Sequence, residues 1–379
     1  MELAPFLHPA SGAVVFGAGC AARVGMQGPL KRVARVAVIT DRGVRAAGLL
    51  EGALASLGAR AALVDDGVVP DADVRHVDEL AGRARELHVD ALLAVGGGSV
   101  MDTAKGVGAV LATGKRVAEL EGMATVRAPL VPLVCVPTTA GTGSEATQFA
   151  VIKDHTAGKK RVLMDGALLP ACAFLDPDLL VGLPRAVTAA TGVDAITHAL
   201  EAVASRLHNP IASALATAAL RLLLGDDGAL ARSLERPGDV EARGACLVAA
   251  NLAGQAISSA MLGACHAFGH ALGAKKGVPH GIANGVVLGS VLRANLAQAR
   301  PHSEHAARGL GLGDAEALLG MVEHTVHDVA GLPRTLGALG VTDADLEDLV
   351  RLTLDDADLG TNPVAFDEAA VRHLVRALR

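Results

Sequence analysis

Between Val33 and Val136, short β-branched runs alternate with longer Ala-, Leu- and Gly-rich amphipathic stretches. Parallel strands need long crossovers, usually helical, so this alternation restricts the segment to a doubly wound α/β sheet. Strands are expected at 33–40 (VARVAVIT), 60–65 (RAALVD), 90–95 (DALLAV) and 131–136 (VPLVCV), with helices at 43–57, 73–87 and 99–112. Around Asp176-Pro177-Asp178 and Leu183-Pro184 the strand-like runs cease. Beyond them the chain has helical period over 186–206, 209–224, 239–260, 264–273 and 284–299, and in further stretches to the end. The expected organisation is an α/β dinucleotide-binding domain at 1–182 and an all-α domain at 183–379.

A chain of 379 residues exceeds one ordinary domain, so two domains sharing one cleft are expected. Hydrophobic residues make up 51% and charged residues 20%, and the apolar runs are broken well before the ~18 residues of a membrane span. Met1-Glu2-Leu3-Ala4-Pro5 has an early acid and no basic region before a long apolar stretch, so no secretory signal and a cytoplasmic location are expected. Five cysteines (Cys20, Cys135, Cys172, Cys246, Cys265) are an odd number without a C-x-x-C pair. This argues against a disulfide framework and a zinc ribbon, and for reduced, mostly buried thiols. The net charge is −6 with dispersed basic residues, and there is no Trp or Tyr to stack bases. A nucleic-acid binder is thereby excluded, and the expected partner is a small molecule.

Gly96-Gly97-Gly98-Ser99 follows the strand DALLAV and opens the helix beginning Val100-Met101-Asp102. Glycines let the backbone approach a pyrophosphate, and the helix N-terminus points unpaired N–H groups at it. The structural alternative is a tight turn needing positive φ. A competing G-x-G-x-x-A fingerprint lies at Gly17-Ala18-Gly19-Cys20-Ala21-Ala22, but the stretch to Gln27 is too short for a crossover helix, so a turn between a strand and a short helix is expected there. Asp41 closes the strand VARVAVIT, where a carboxylate can bind an adenosine ribose and repel a 2′-phosphate; it also suits an N-cap, and the two roles are compatible. Pro137-Thr138-Thr139-Ala140-Gly141-Thr142-Gly143-Ser144-Glu145, after the strand VPLVCV, offers hydroxyl and amide donors to a nucleotide, although a plain loop would look similar.

Asp194 and His198 are four apart in a helical stretch, His266 and His270 repeat that spacing, and His280 sits on the turn Val278-Pro279-His280-Gly281. Three histidines and a carboxylate can bind a divalent transition metal and leave positions open for substrate. With 14 histidines in the chain, any one alone reads equally as a surface or core residue.

The motifs GGGSVMDTAK at 96–105, PTTAGTGSE at 137–145, GVDAITHALE at 192–201 and HAFGHALGAKKGVPHGIAN at 266–284 together resemble the iron-containing (group III) alcohol dehydrogenases, in their lactaldehyde reductase/1,3-propanediol dehydrogenase-like branch. The resemblance runs over nearly the whole chain. It implies a Rossmann-like doubly wound parallel sheet plus an all-α C-terminal domain, the dehydroquinate synthase-like architecture. It implies Asp194, His198, His266 and His280 as metal ligands, with Fe²⁺ as the usual ion and Zn²⁺ in some branches, and His270 as an active-site histidine near the nicotinamide. For NAD it implies Gly97, Gly98 and Ser99 at the pyrophosphate and Asp41 at the ribose, with Asp102, Thr138, Thr139, Thr142 and Lys160 completing the groove. A homodimer or higher homo-oligomer is implied as well. Val364 stands where a basic residue often follows Asn-Pro in the family, a departure that bears on substrate class.

The expected chemistry is hydride transfer between NAD(H) and a small alcohol or aldehyde, with a metal as Lewis acid and His270 relaying a proton or supporting His266. By alignment with the family motifs, Phe149, Ile257 and Ala357-Asp358-Leu359 would line the substrate pocket. Phe149 and Ile257 offer apolar contact, whereas Asp358 would select a hydroxyl-bearing substrate such as lactaldehyde or a short diol, unless it points to solvent or caps a helix. The rivals are a metal- and NAD-dependent lyase related to dehydroquinate synthase, and a non-catalytic metal- or nucleotide-binding protein.

Overall fold

The computed structural model describes residues 5–225 and 228–379. The run Met1–Ala4, read above for its lack of a signal-like pattern, lies outside the described residues. The chain divides into two compact units. One comprises Pro9–Thr139 and Gly143–Val181; the other comprises Gly182–Arg379, Ala140–Thr142 and the described residues before Pro9.

In the first unit the strands are β1 (Ala13–Phe16), β2 (Val36–Asp41), β3 (Ala61–Val68), β4 (Ala91–Gly96), β5 (Gly122–Met123), β6 (Leu133–Pro137), β7 (Phe149–Asp154), β8 (Lys159–Met164) and β9 (Cys172–Leu175). Six of them form a parallel sheet in the order β1-β9-β6-β4-β2-β3. Its helices are α1 (Arg42–Ala46), α2 (Glu51–Leu57), α3 (Val74–Glu86) and α4 (Gly98–Thr113). Successive strand residues go to opposite cores. Ala37, Ile39, Leu92 and Ala94 pack with α3 and α4, while Val36, Val38, Leu93 and Val95 pack with α1 and α2. Burial on both faces explains why the strands read as continuous apolar runs.

Several features depart from the expected elements, among them β9, which pairs with β1 and β6 in the sheet although no strand was expected at 172–175. The helix expected at 43–57 is broken into α1 and α2 by Gly48, whose φ of 72° ends the first. The hairpin β7–β8 was not expected; its strand Phe149–Asp154 alternates half-buried and buried positions, and the turn closes at Gly158 with φ 67°. This period-2 signal was present in the sequence but lay beside the loop motif.

The second unit has no strand among its described residues and is built on α5 (Arg185–Ala204), α6 (Pro210–Leu224), α7 (Ala229–Glu235), α8 (Val240–Ala260), α9 (Ala264–Lys276), α10 (His280–Gly309), α11 (Ala315–His324), α12 (Leu346–Leu354) and α13 (Glu368–Ala377). At its centre α5 packs against α6, α8 and α10 and is buried almost all round from Thr188 to Ala204. Alanine at many of these positions lets neighbouring axes come close. The fold is therefore a doubly wound parallel sheet joined in sequence to an all-α region. Among the described residues no single helix is long and apolar enough to cross a membrane; α8 and α9 reach that length and apolarity only together, and they bend by 104°.

Candidate active site

The strand order reverses between β2 and β4: the chain steps from β2 outward to β3, then returns to the other side of β2. At such a switch point a crevice opens beyond the carboxyl ends of the strands. Asp41 ends β2 there, and Gly96 ends β4, with Thr40 Oγ1 donating to Val95 O at 2.7 Å between them. β6 lies next in the sheet, so Pro137 pairs with Gly96 and Thr138 N–H donates to Gly96 O at 3.1 Å. The sheet thus gathers Asp41, Gly97, Gly98, Ser99, Thr138 and Thr139 along one edge, at the N-terminus of the 16-residue α4.

None of Gly96, Gly97 and Gly98 has positive φ, so the turn alternative does not account for them. Crowding accounts for two. A Cβ on Gly96 would lie 2.5 Å from Val100 Cγ2, and one on Gly97 would lie 3.3 Å from Thr139 Oγ1. Gly97 is the N-cap of α4 and provides no side-chain cap. The upstream fingerprint differs: Gly19 N–H and Ala21 N–H already donate to the two oxygens of Asp176, at 3.0 and 2.9 Å. That nest is closed by the protein's own carboxylate, in keeping with a structural turn.

Asp41 caps α1, accepting from Val44 N–H at 2.9 Å. Ser99 Oγ accepts from Asp71 N–H at 3.1 Å, and Lys160 Nζ pairs with Asp71 Oδ1 at 3.0 Å. Asp102 is engaged on both oxygens, by Ser144 Oγ at 2.7 Å and Val151 N–H at 3.0 Å. Beside it the fully buried Lys105 donates to Ser144 Oγ, Thr147 Oγ1 and Phe149 O at 2.8 to 3.0 Å. Burial pushes the Asp102 carboxyl up and the Lys105 ammonium down, each opposed by the other's charge. These two residues tie α4 to the loop before β7. Thr142 is half-buried on the tripeptide that belongs to the helical unit.

In the helical unit, Asp194 and His198 face one way from α5, and His266 comes from the first turn of α9. One donor atom from each lies within 4.8 Å of the others, and all three residues are buried. The His198 and His266 rings stack with centroids 4.6 Å apart. His280, the first residue of α10, lies outside that tightest group; its ring centroid is 5.5 Å from that of His266 and 4.8 Å from that of His270. Gly281 permits its position, since a Cβ there would lie 1.8 Å from Ala190 O on α5. Burial disfavours the charge of Asp194, but His198, His266 and His280 more than offset this and hold its carboxyl well below the usual range. For His266, burial opposes protonation, yet Glu201 and Asp194 raise it to about 10. A buried carboxylate facing buried imidazoles is a donor set that fits a divalent transition metal.

A second group adjoins it. His270 Nδ1 faces Asp356 Oδ2 at 2.8 Å and Asp358 Oδ2 at 3.7 Å. Burial, with the neighbouring Asp356, pushes Asp358 up to about 6 against the pull of His270. Its backbone N–H donates to Asp356 Oδ1 at 2.9 Å, which caps the short turn Ala357–Thr361. Ile257 is 1% exposed on α8, and Phe149 is half-buried at the start of β7.

Residues 11–177 match the iron-containing alcohol dehydrogenase family, and 188–378 match its C-terminal domain. The chain belongs to the iron-containing alcohol dehydrogenases. As a member of that family it is an oxidoreductase of small alcohols and aldehydes. It is 35% identical over 356 residues to alcohol dehydrogenase 4 of Schizosaccharomyces pombe, covering 92% of this chain and 83% of that one. A crystal structure of 1,3-propanediol oxidoreductase superposes with TM-score 0.93 at 31% identity, over 99% of this chain and 100% of the other. That of sulfoacetaldehyde reductase from Bifidobacterium kashiwanohense in complex with NAD+ superposes with TM-score 0.90 at 27% identity, over 100% and 99%.

Sequence reasoning assigned no role to four residues that hold these candidate groups together. Glu201 accepts from His266 Nδ1, Asp356 faces His270, Asn284 donates to Asp194 Oδ1 at 2.9 Å, and Asn362 Oδ1 accepts from Ala264 N–H at 3.2 Å. Spacing carried a signal for two of them. Glu201 is three residues after His198 and Asn284 four after His280, each on the same helix face as a candidate ligand.

Proposed function

We propose that the chain interconverts a small hydroxyl-bearing alcohol and its aldehyde with NAD(H), using a metal held by Asp194, His198, His266 and His280. The metal is Fe²⁺, and Zn²⁺ suits the same donors. The buried Asp194–His198–His266 group, in a chain of this family, is the observation that carries the reading. When bound, the metal lends Lewis acidity at the substrate oxygen and the nicotinamide takes or gives the hydride.

On this reading residues 1–182 hold the dinucleotide and 183–379 the metal. The α4 N-terminus receives the pyrophosphate on the amides of Gly97, Gly98 and Ser99, where helix dipole and unpaired N–H groups favour an anion. Asp41 meets the adenosine ribose and disfavours a 2′-phosphate. Thr138, Thr139 and Thr142, with Lys160 of β8, line the groove, and Asp102 completes it by bonding Ser144 at the end of the threonine loop. His270 donates its Nδ1 proton to Asp356, which leaves Nε2 to exchange a proton between the substrate hydroxyl and water. Phe149, Ile257 and Asp358 bound the substrate; a half-buried carboxyl pushed up to about 6 accepts from or donates to a hydroxyl and, once ionised, repels an anionic substrate. The relationship to a 1,3-propanediol oxidoreductase agrees with a short diol. The protein is further proposed to be cytoplasmic, to bind neither nucleic acid nor membrane, and to self-associate. The last is supported by β1, a sheet edge paired only with β9 among the described residues, on which Val14 and Phe16 are 45% and 55% exposed.

The test is a panel of aldehydes and alcohols assayed with NAD(H) after anaerobic Fe²⁺ loading, in the parent and in His280→Ala. The variant should lose metal and activity while keeping its circular dichroism spectrum. Full metal content in the variant would remove His280 from the ligand set, and a semialdehyde acid as best substrate would refute the role of Asp358.

A further inference from the structure

Glu201 projects from α5 seven residues after Asp194 and is 3% exposed. Three donors converge on its carboxylate. Oε1 accepts from Cys265 N–H at 2.7 Å and His266 N–H at 3.3 Å, and Oε2 accepts from His266 Nδ1 at 2.5 Å. The α9 N-cap, Gly263, provides no side-chain cap, so Glu201 satisfies the first turn of the helix from outside it. A Cβ on Gly263 would lie 3.0 Å from Glu201 Oε1, which leaves glycine as the residue that admits the carboxylate.

The turn delivering α9 is held in an unfavourable conformation. Met261 has φ 63° and ψ −175°, a region that residues other than glycine seldom enter. Ser205 Oγ donates to Ala260 O at 2.5 Å and Thr361 Oγ1 to Leu262 O at 2.6 Å, while Asn362 Oδ1 accepts from Ala264 N–H. The backbone is thus pinned on both sides of Met261, and Glu201 fixes the helix start beyond it.

We propose that Glu201 is a positioning residue which commits His266 to bind metal through Nε2. It does so by holding the proton on Nδ1 while anchoring the α9 backbone with its other oxygen. The proposal rests on the assignment of His266 as a metal ligand. A group on Nδ1 that only accepts leaves the Nε2 lone pair for a metal and fixes the ring plane. Both oxygens of Glu201 must accept, which no amide can do. In Glu201→Gln, an amide oxygen kept on the Cys265 and His266 N–H groups turns its NH₂ toward Nδ1. That makes Nδ1 an acceptor and moves the ring proton to Nε2, where it blocks ligation.

The experiment measures the Kd for Fe²⁺ anaerobically, by competition with a chromogenic chelator, in the parent, Glu201→Gln, His266→Ala and the double variant. Glu201→Gln should weaken binding by about 10- to 100-fold. In the His266→Ala background the same change should add nothing, because the effect travels through that ring. An unchanged Kd in Glu201→Gln, or a full additional loss in the double variant, would overturn the proposal. If His266→Ala alone binds Fe²⁺ as tightly as the parent, the ligand assignment itself fails, so the two failures are distinguishable. Should Glu201→Gln not fold, the Co²⁺-loaded parent decides. A slowly exchanging paramagnetically shifted N–H with an Overhauser contact to the His266 β-protons identifies Nδ1–H and supports the proposal; a His266 bound through Nδ1 overturns it.

Discussion

Single residues here carry two tasks at once, and the tasks can be separated by substitution. Asp41 both caps α1 and, on the proposed reading, meets the ribose. Glycine retains most of the stability at an N-cap position, at a cost of a few tenths of a kcal/mol. Asp41→Gly should therefore leave the melting temperature nearly unchanged while raising kcat/KM with NADP by about tenfold, the equivalent of about 1.4 kcal/mol. Equal use of both cofactors by the parent would show the carboxylate elsewhere than at the 2′ position. Asp65 illustrates a purely structural charge. Burial would raise its carboxyl, but hydrogen bonds from His76 and Arg83 win and hold it at about 2, against an ordinary 3.8. The folded state then binds the proton less readily than the unfolded chain, so the stabilisation is complete above pH 4 and is lost as pH falls through 2. It amounts to roughly 2 kcal/mol. Urea unfolding of Asp65→Asn should show that deficit at pH 7 and a flatter profile than the parent between pH 4 and 2.

At the level of elements, the site depends on how closely helices approach. Alanine at 281 would place its Cβ 1.8 Å from Ala190 O, and backbone cannot yield as a flexible side chain can. Gly281→Ala should push the start of α10 off α5, destabilise the fold by about 1–3 kcal/mol, and weaken metal binding with it. Calorimetry and metal analysis together check this; unchanged values in both would mean the helices have more play than their contact suggests. The main elements were legible because their apolar periods are long, as in Val36–Asp41 and Ala91–Gly96, and because glycine and proline punctuate them. The break at Gly48 was not, since Val44-Arg45-Ala46-Ala47 and Leu49-Leu50 keep helical character on both sides of one residue in the left-handed region. Nor was the carboxylate network legible. Spacing put Glu201 on the face of His198, but Glu201 and Asp356 lie 65 and 86 residues from the histidines they actually meet, and a pairing at that separation is not written in local spacing.

Across the whole molecule, the fold is divided between a unit built on a parallel sheet and a helical one, and the strand-like runs of the sequence cease near Asp176. The sequence did not show that the division is discontinuous. Ala140–Thr142 belongs to the helical unit, where Gly141 O lies 3.3 Å from His198 Nδ1, although residues on both sides of the tripeptide belong to the sheet unit. A recombinant that joins the first half of one relative to the second half of another at residue 182 would carry those three residues, and the described residues before Pro9, from the wrong parent. Chimaeras and split-gene versions of this chain therefore need their crossover plan drawn around these stretches as well as the obvious junction, because inheritance by halves seats His198 against a loop taken from the other parent.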